Sequence, residues 1–206
     1  MNSDLKRLTW FWLIGLVVSG YAPYDRPTWF LEVLPALIAW PLLYKTRDRF
    51  TFSSLAYTLI LIHGLILMLG AAYTYSRVPL GNWVKDWFDL SRNPYDKLGH
   101  FAQGFVPAIV ARELLIRWFN QRRGWLLDFL VVCICLAISA VYELLEWATA
   151  LILGQGADDF LGTQGDPFDT QSDMFLALIG ATLAVGLLAR WHDRAMRRVE
   201  MGGAGR

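Results

Sequence analysis

At 206 residues, 55% of them hydrophobic, and with a mean hydropathy of +0.36, the chain is too apolar for a soluble domain of its size. A net charge of +1 gives no electrostatic footprint for nucleic acid, so no nucleic-acid partner is expected. Ten tryptophans suit a chain that meets the membrane–water interface repeatedly, and Cys133 and Cys135, at i and i+2 in an apolar run, point to different helix faces and cannot pair.

A hydrocarbon core of ~30 Å takes roughly 20 apolar residues of helix. Six runs approach that length: Leu8–Tyr21, Thr28–Tyr44, Leu55–Tyr75, Leu98–Phe119, Trp125–Gly154 and Ser172–Trp191. They predict an all-α fold, a polytopic membrane bundle of about six transmembrane helices forming one domain over 1–206.

The first run is short. Lys6 and Arg7 before it, with Gly20–Tyr21–Ala22 after it, also fit a cleaved signal peptide, against which Pro23 stands; cleavage would leave five helices. Glu32 lies one turn into the second run, either snorkelling to the interface or joining a polar cluster. His63 sits mid-span in the third, where a packed or partnered histidine is the plainer account. Residues 81–90 place Trp83, Val84, Trp87 and Phe88 on one helical face against Lys85, Asp86 and Asp89, the pattern of an interfacial helix lying on the outer leaflet. The fourth run carries Arg112 and Glu113, pointing about 100° apart, with Arg112 placed to snorkel to the inner headgroups. The fifth, with Glu143 and Glu146, is longer than one span needs, so it tilts, breaks or projects. Residues 155–171 form an acidic outer loop with Asp158, Asp159, Asp166 and Asp169 and no Lys or Arg.

Basic residues set the orientation. Thirteen Lys and Arg fall in the two tails and the second and fourth loops, against five in the other three loops. The positive-inside rule then puts both termini in the cytoplasm.

Ionisable groups near or within spans are expensive there and answer to a partner or a task. Asp96 and His100 are i and i+4 at the outer start of the fourth run, so they share a face; a carboxylate and an imidazole so placed hold a metal or form an acid–base pair, unless they only cap and hydrogen-bond. Glu143 and Glu146 are i and i+3 in the fifth run, with Ser139 one turn deeper, and two such carboxylates repel unless they share a proton or a cation. Asp169 and Asp173 are i and i+4 at the start of the sixth run, where Asp166–Pro167 reads as a turn and Thr170 with Asp173 as a capping box. Beyond them Ala177, Gly180, Ala181 and Ala184 make a small face that lets this helix approach a neighbour. All six residues fall at one depth on the outer side. Five carboxylates and a histidine call for a divalent cation, and oxygen-rich ligation with one imidazole fits Mg, Mn or Ca, with Zn also compatible. No HExxH, P-loop, CxxC, GxSxG or calcium-loop spacing is present.

At Asp96–Lys97–Leu98–Gly99–His100–Phe101, at Tyr142–Glu143–Leu144–Leu145–Glu146, and most specifically at 162–174, the chain resembles the YjdF family of bacterial inner-membrane proteins over nearly its full length. More distantly, from Asp96 to about Ala184, it resembles the VanZ-like membrane proteins. It departs from their pattern in the Gly/Asp-rich loop and at Ala177, where an Asn is often seen. The resemblance implies a multi-pass inner (cytoplasmic) membrane location and names no substrate.

Three functions follow as expectations. The first is an envelope enzyme acting on a lipid-linked or phosphate-bearing substrate at the outer leaflet, with Glu143, His100 and Asp173 as catalytic residues and Asp96, His100, Glu143, Glu146, Asp169 and Asp173 as metal ligands. The second is a cation- or proton-coupled transporter, against which the apolar stretch from Leu130 to Ile138 stands. The third is a non-catalytic scaffold whose acidic loop binds a periplasmic partner.

Overall fold

Capping chemistry sets where the helices begin. Asp25 accepts a hydrogen bond from the Thr28 amide at 2.8 Å, and Pro27 follows in the first turn, where a missing N–H costs nothing. Ser53 caps the next helix through the Ala56 amide at 3.3 Å. Gly124, at φ +143°, makes the turn before another, a conformation open to glycine. The computed structural model describes residues 3–153 and 164–203. Among them the chain forms α1 (Ser3–Tyr21), α2 (Arg26–Thr46), α3 (Ser54–Ala72), α4 (Pro79–Trp87), α5 (Tyr95–Arg117), α6 (Trp125–Leu153) and α7 (Asp169–Gly203), with no strand.

Each expected apolar run is thus a helix, and the short helix expected within 81–90 is α4. Trp83, Trp87 and Phe88 stand exposed on or just after it. Residues 154–163, with Asp158 and Asp159 of the acidic loop, lie outside the described residues. Four helices are long and apolar enough to cross a membrane: α2, α3, α6 over Trp125–Ile152 and α7 over Asp169–Met201. The other two expected spans are diluted by charge. Asp4, Lys6 and Arg7 occupy the first turns of α1, and α5 carries Asp96, Lys97, Arg112, Glu113 and Arg117. Around the bundle large apolar side chains face outward, including Trp10, Ile14, Val17 and Val18 of α1 and Leu144, Leu145 and Ile152 of α6. A surface of that kind belongs against lipid.

The closest packing joins α5 to α7. A Cβ built on Gly104 would lie 1.9 Å from the Ala177 carbonyl oxygen, and one on Gly180 would lie 2.2 Å from the Phe101 carbonyl oxygen. Only glycine fits at either place, and Ala177, Ala181 and Ala184 are fully buried beside them. The small face expected on the last helix therefore does what its composition implies. On the other flank α1 packs on α3, where Gly15 lies against Leu65 and Met68, and it meets α2 through Trp12 stacked on Trp40 at 5.9 Å and Trp40 Nε1 donating to Thr9 Oγ1 at 3.2 Å.

At the end of the α5–α7 pair away from His100 lies a buried polar network. Ser53 donates to Glu113 through its amide at 2.7 Å and its hydroxyl at 2.6 Å, and Arg117 pairs with the same carboxylate. Arg112 donates to Asp193 at 2.8 Å and meets His192 Nδ1 at 3.2 Å. A guanidinium only donates, so His192 Nδ1 is the acceptor; its Nε2–H then donates to Glu113 at 2.9 Å. The expectation that Arg112 snorkels to headgroups is corrected here. It is 3% exposed, because α7 arrives with its own carboxylate.

Candidate functional site

The second turn of α5 brings His100 to the centre of a cluster. Helical spacing puts Asp96 Oδ1 at 3.5 Å from its Nε2, and the glycine-mediated approach of α7 brings Asp173 Oδ2 to 3.9 Å from the same nitrogen. On the other side of the ring, Glu143 Oε1 from α6 lies 3.6 Å and Gln103 Oε1 3.3 Å from Nδ1. Two acceptors on each side leave the imidazole with more oxygen partners than it has protons. His100 is 6% exposed, Glu143 7% and Asp173 2%. Even so, Glu143 Oε1 and Asp173 Oδ1 have no hydrogen-bond partner.

Ligand atoms of Asp96, His100 and Asp173 all lie within 4.8 Å of one another, a group with the make-up of a cation site. The remaining expected residues separate from it by degrees. Glu146 lines the cavity described below, half-buried. Asp169 is buried but engaged elsewhere: with Asp166 it holds Arg92, whose guanidinium lies 3.0 Å from Asp166. Burial works against the Arg92 charge, and the hydrogen bond and charge of Asp169 more than offset it, so its pKa is raised. Glu32 joins the cluster's edge, buried, accepting from the Tyr142 hydroxyl at 3.2 Å; the Tyr142 ring stands edge-on to His100.

Sequence reasoning missed Gln103, Arg92 and Asn93. Asn93 fastens the turn before α5 to the segment before α7. Its amide donates to Gln164 Oε1 at 3.0 Å, Gln164 Nε2 donates back to its carbonyl at 3.1 Å, and its side chain reaches Val78 and Asn82. These residues had no spacing signal; only i,i+3 from His100 could have marked Gln103.

Below the cluster a cavity of about 570 Å³ runs between α2 and α5, with α3 behind it. Glu32, Asp96, His100, Gln103, Tyr142 and Glu146 line its head. Its walls are apolar apart from His63, whose Nε2 is unpartnered, and it reaches Thr46, Arg49 and Trp118 at the far end.

Residues 5–194 match the family described as predicted membrane protein (DUF2238). The chain belongs to that family. It is also similar to the inner membrane protein YjdF of Escherichia coli (strain K12), 56% identical over 198 residues, which cover 96% of this chain and 93% of that protein. Family and relative agree with the outward apolar surface: this is a bacterial inner-membrane protein. No solved structure matches.

Proposed function

We propose that the protein is a cation-assisted membrane enzyme acting on a lipid-linked, phosphate-bearing substrate. One observation carries this reading: a convergent Asp96–His100–Asp173 group with unpartnered buried carboxylate oxygens stands at the head of a long apolar cavity. In this reading Asp96, His100 Nε2 and Asp173 hold the cation. Gln103 Oε1 accepts from His100 Nδ1–H at 3.3 Å, which fixes the tautomer and leaves Nε2 free to coordinate, and the Glu143 charge 3.6 Å from Nδ1 favours a proton there. Glu143 thereby becomes a positioning residue, and Asp169, paired with Arg92, leaves the ligand set. A divalent cation held there would neutralise the carboxylates and would supply the charge needed to polarise a phosphoryl oxygen or lower the pKa of a water. Glu146, lining the cavity near His100, is placed to take the proton.

The transport reading gains nothing from the cavity. Between Gln103 and Thr46 its wall offers a moving ion only His63. Metal analysis of the purified protein tests the proposal. A stoichiometric divalent cation in wild type, lost in Asp173→Asn, is the expected result. Wild type that takes up none of Mg, Mn, Ca or Zn sinks it and leaves the scaffold reading.

The same proposal includes six spanning helices with both termini cytoplasmic, which puts the site at the outer leaflet. Supporting it, the outward face of α1 is apolar, and Arg112 and Glu113 of α5 are buried in the bundle away from lipid. Reporter fusions at Arg122 and at the C-terminus should read cytoplasmic, and one at Gly156 periplasmic. A periplasmic C-terminus would reverse the orientation and move the site to the inner leaflet.

A further inference from the structure

We infer that the substrate of this site carries a hydrocarbon tail longer than one leaflet, and that the cavity between α2 and α5 is the channel that holds it. The inference rests on the reading of the His100 cluster as the headgroup site. It adds what the rest of the molecule must be.

Prolines keep the channel open. Pro35 and Pro107 line it and Pro41 lies six residues further along α2. Each removes a backbone N–H and crowds the carbonyl four residues before it, which favours a bend in each helix over close packing along their lengths. Small residues on the wall, Ala36, Ala39, Gly64 and Gly99, widen it further. An apolar cavity of this size does not hold ordered water, and left empty its lining would lack contact atoms across the gap. In a bilayer the available filler is hydrocarbon.

Length identifies which hydrocarbon. The cavity is bounded along α2 by Glu32 and Thr46, a helical rise of about 21 Å. Along α5 its lining runs from His100 through Leu114 to Trp118, about 27 Å. One leaflet of a ~30 Å core offers only about 15 Å. A tail anchored by its headgroup at His100 and filling the channel therefore passes the bilayer midplane. Since lipid tails are as apolar as the cavity wall, leaving the bilayer gains little, and selection comes from fit to the length.

Trp12 and Trp40 give a depth gauge. Both line the channel, and they are 6% and 3% exposed, so little of either ring meets detergent or lipid outside it. Trp40 lies about 12 Å of helical rise below Glu32. The experiment titrates the full-length protein with alkyl phosphates brominated at the chain end, from hexyl to docosyl. The signal is the emission present in wild type and missing from Trp12→Phe/Trp40→Phe. That emission should survive hexyl, be lost near decyl, and return toward docosyl as the bromine passes on to Thr46. Quenching that never appears, or that stays complete from decyl to docosyl, overturns the inference. The two readings fail separately. Bound cation without the quenching pattern sinks only the tail; the quenching pattern in a protein that binds no cation sinks only the metal and keeps the channel.

Discussion

Asp173→Asn should leave a folded protein whose thermal unfolding no longer responds to chelator, while wild type loses stability when its cation is stripped. The geometry makes this residue the sharpest probe. Asp173 is 2% exposed, one of its oxygens has no hydrogen-bond partner, and the other faces His100 Nε2. Asparagine keeps the shape and removes the charge that ligation needs. A cation that binds only the folded state adds about 2.7 kcal/mol when present at 100 times its dissociation constant, enough to see in an unfolding curve. Glu143→Gln should behave differently. Glutamine still offers an oxygen toward His100 Nδ1 but removes the charge that raises the basicity of the ring, so affinity should fall by about 10–100-fold, the usual cost of altering an outer partner of a ligating histidine, and not be abolished. Acidification should weaken binding in wild type and in Glu143→Gln, because protons compete for the ligand lone pairs. If no cation is held, crowded carboxylates share protons instead. Asp173→Asn would then relieve repulsion and raise the unfolding temperature, with no chelator effect in wild type. That outcome ends the metal reading.

The parts of this site that were legible in the sequence are those fixed by helix geometry alone. Asp96 and His100 had to share a face at i and i+4, and they do. Convergence with Glu143 and Asp173 followed from a common depth and from the small face of the last helix, and Gly180 against the Phe101 carbonyl supplies it. What escaped depends on partners far along the chain. The pairing of Asp169 escaped because nothing in its own neighbourhood shows that Arg92 will arrive from the turn before α5. That Glu143 faces His100 Nδ1 while Asp96 and Asp173 face Nε2 was hidden for a related reason: sequence cannot say which imidazole nitrogen a carboxylate will face. The extent of α7 was also hidden. Its arginine-rich end from Arg190 onward reads as a cytoplasmic tail, yet the helix continues through it because His192 and Asp193 are drawn into the bundle by Glu113 and Arg112.

Glu113→Ala should be the most destabilising single substitution outside the cation site, at about 3–5 kcal/mol, the range for removing one partner of a buried ion pair. Glu113 is fully buried and serves four donors: the Ser53 amide and hydroxyl, Arg117, and His192 Nε2. Alanine leaves His192, itself fully buried, and a largely buried Arg117 without that acceptor, and it frees the residue that caps α3. The double variant Glu113→Leu/His192→Leu should cost less than Glu113→Ala alone, because replacing both members by apolar groups strands fewer polar atoms. Equilibrium unfolding in detergent measures both, and a Glu113→Ala protein as stable as wild type would show the network to be dispensable. A second effect follows from where the network sits. It pins one end of the same α5–α7 pair whose other end sets Asp173 against His100, about 20 Å away along α5. Their register is all that holds Asp173 Oδ2 at 3.9 Å from the imidazole, and a slip of one helical turn would move it by about 5.4 Å. Glu113→Ala should therefore also weaken cation binding at a site it does not touch. Unchanged affinity in a destabilised protein would mean that the glycine contacts of Gly104 and Gly180 fix the register unaided.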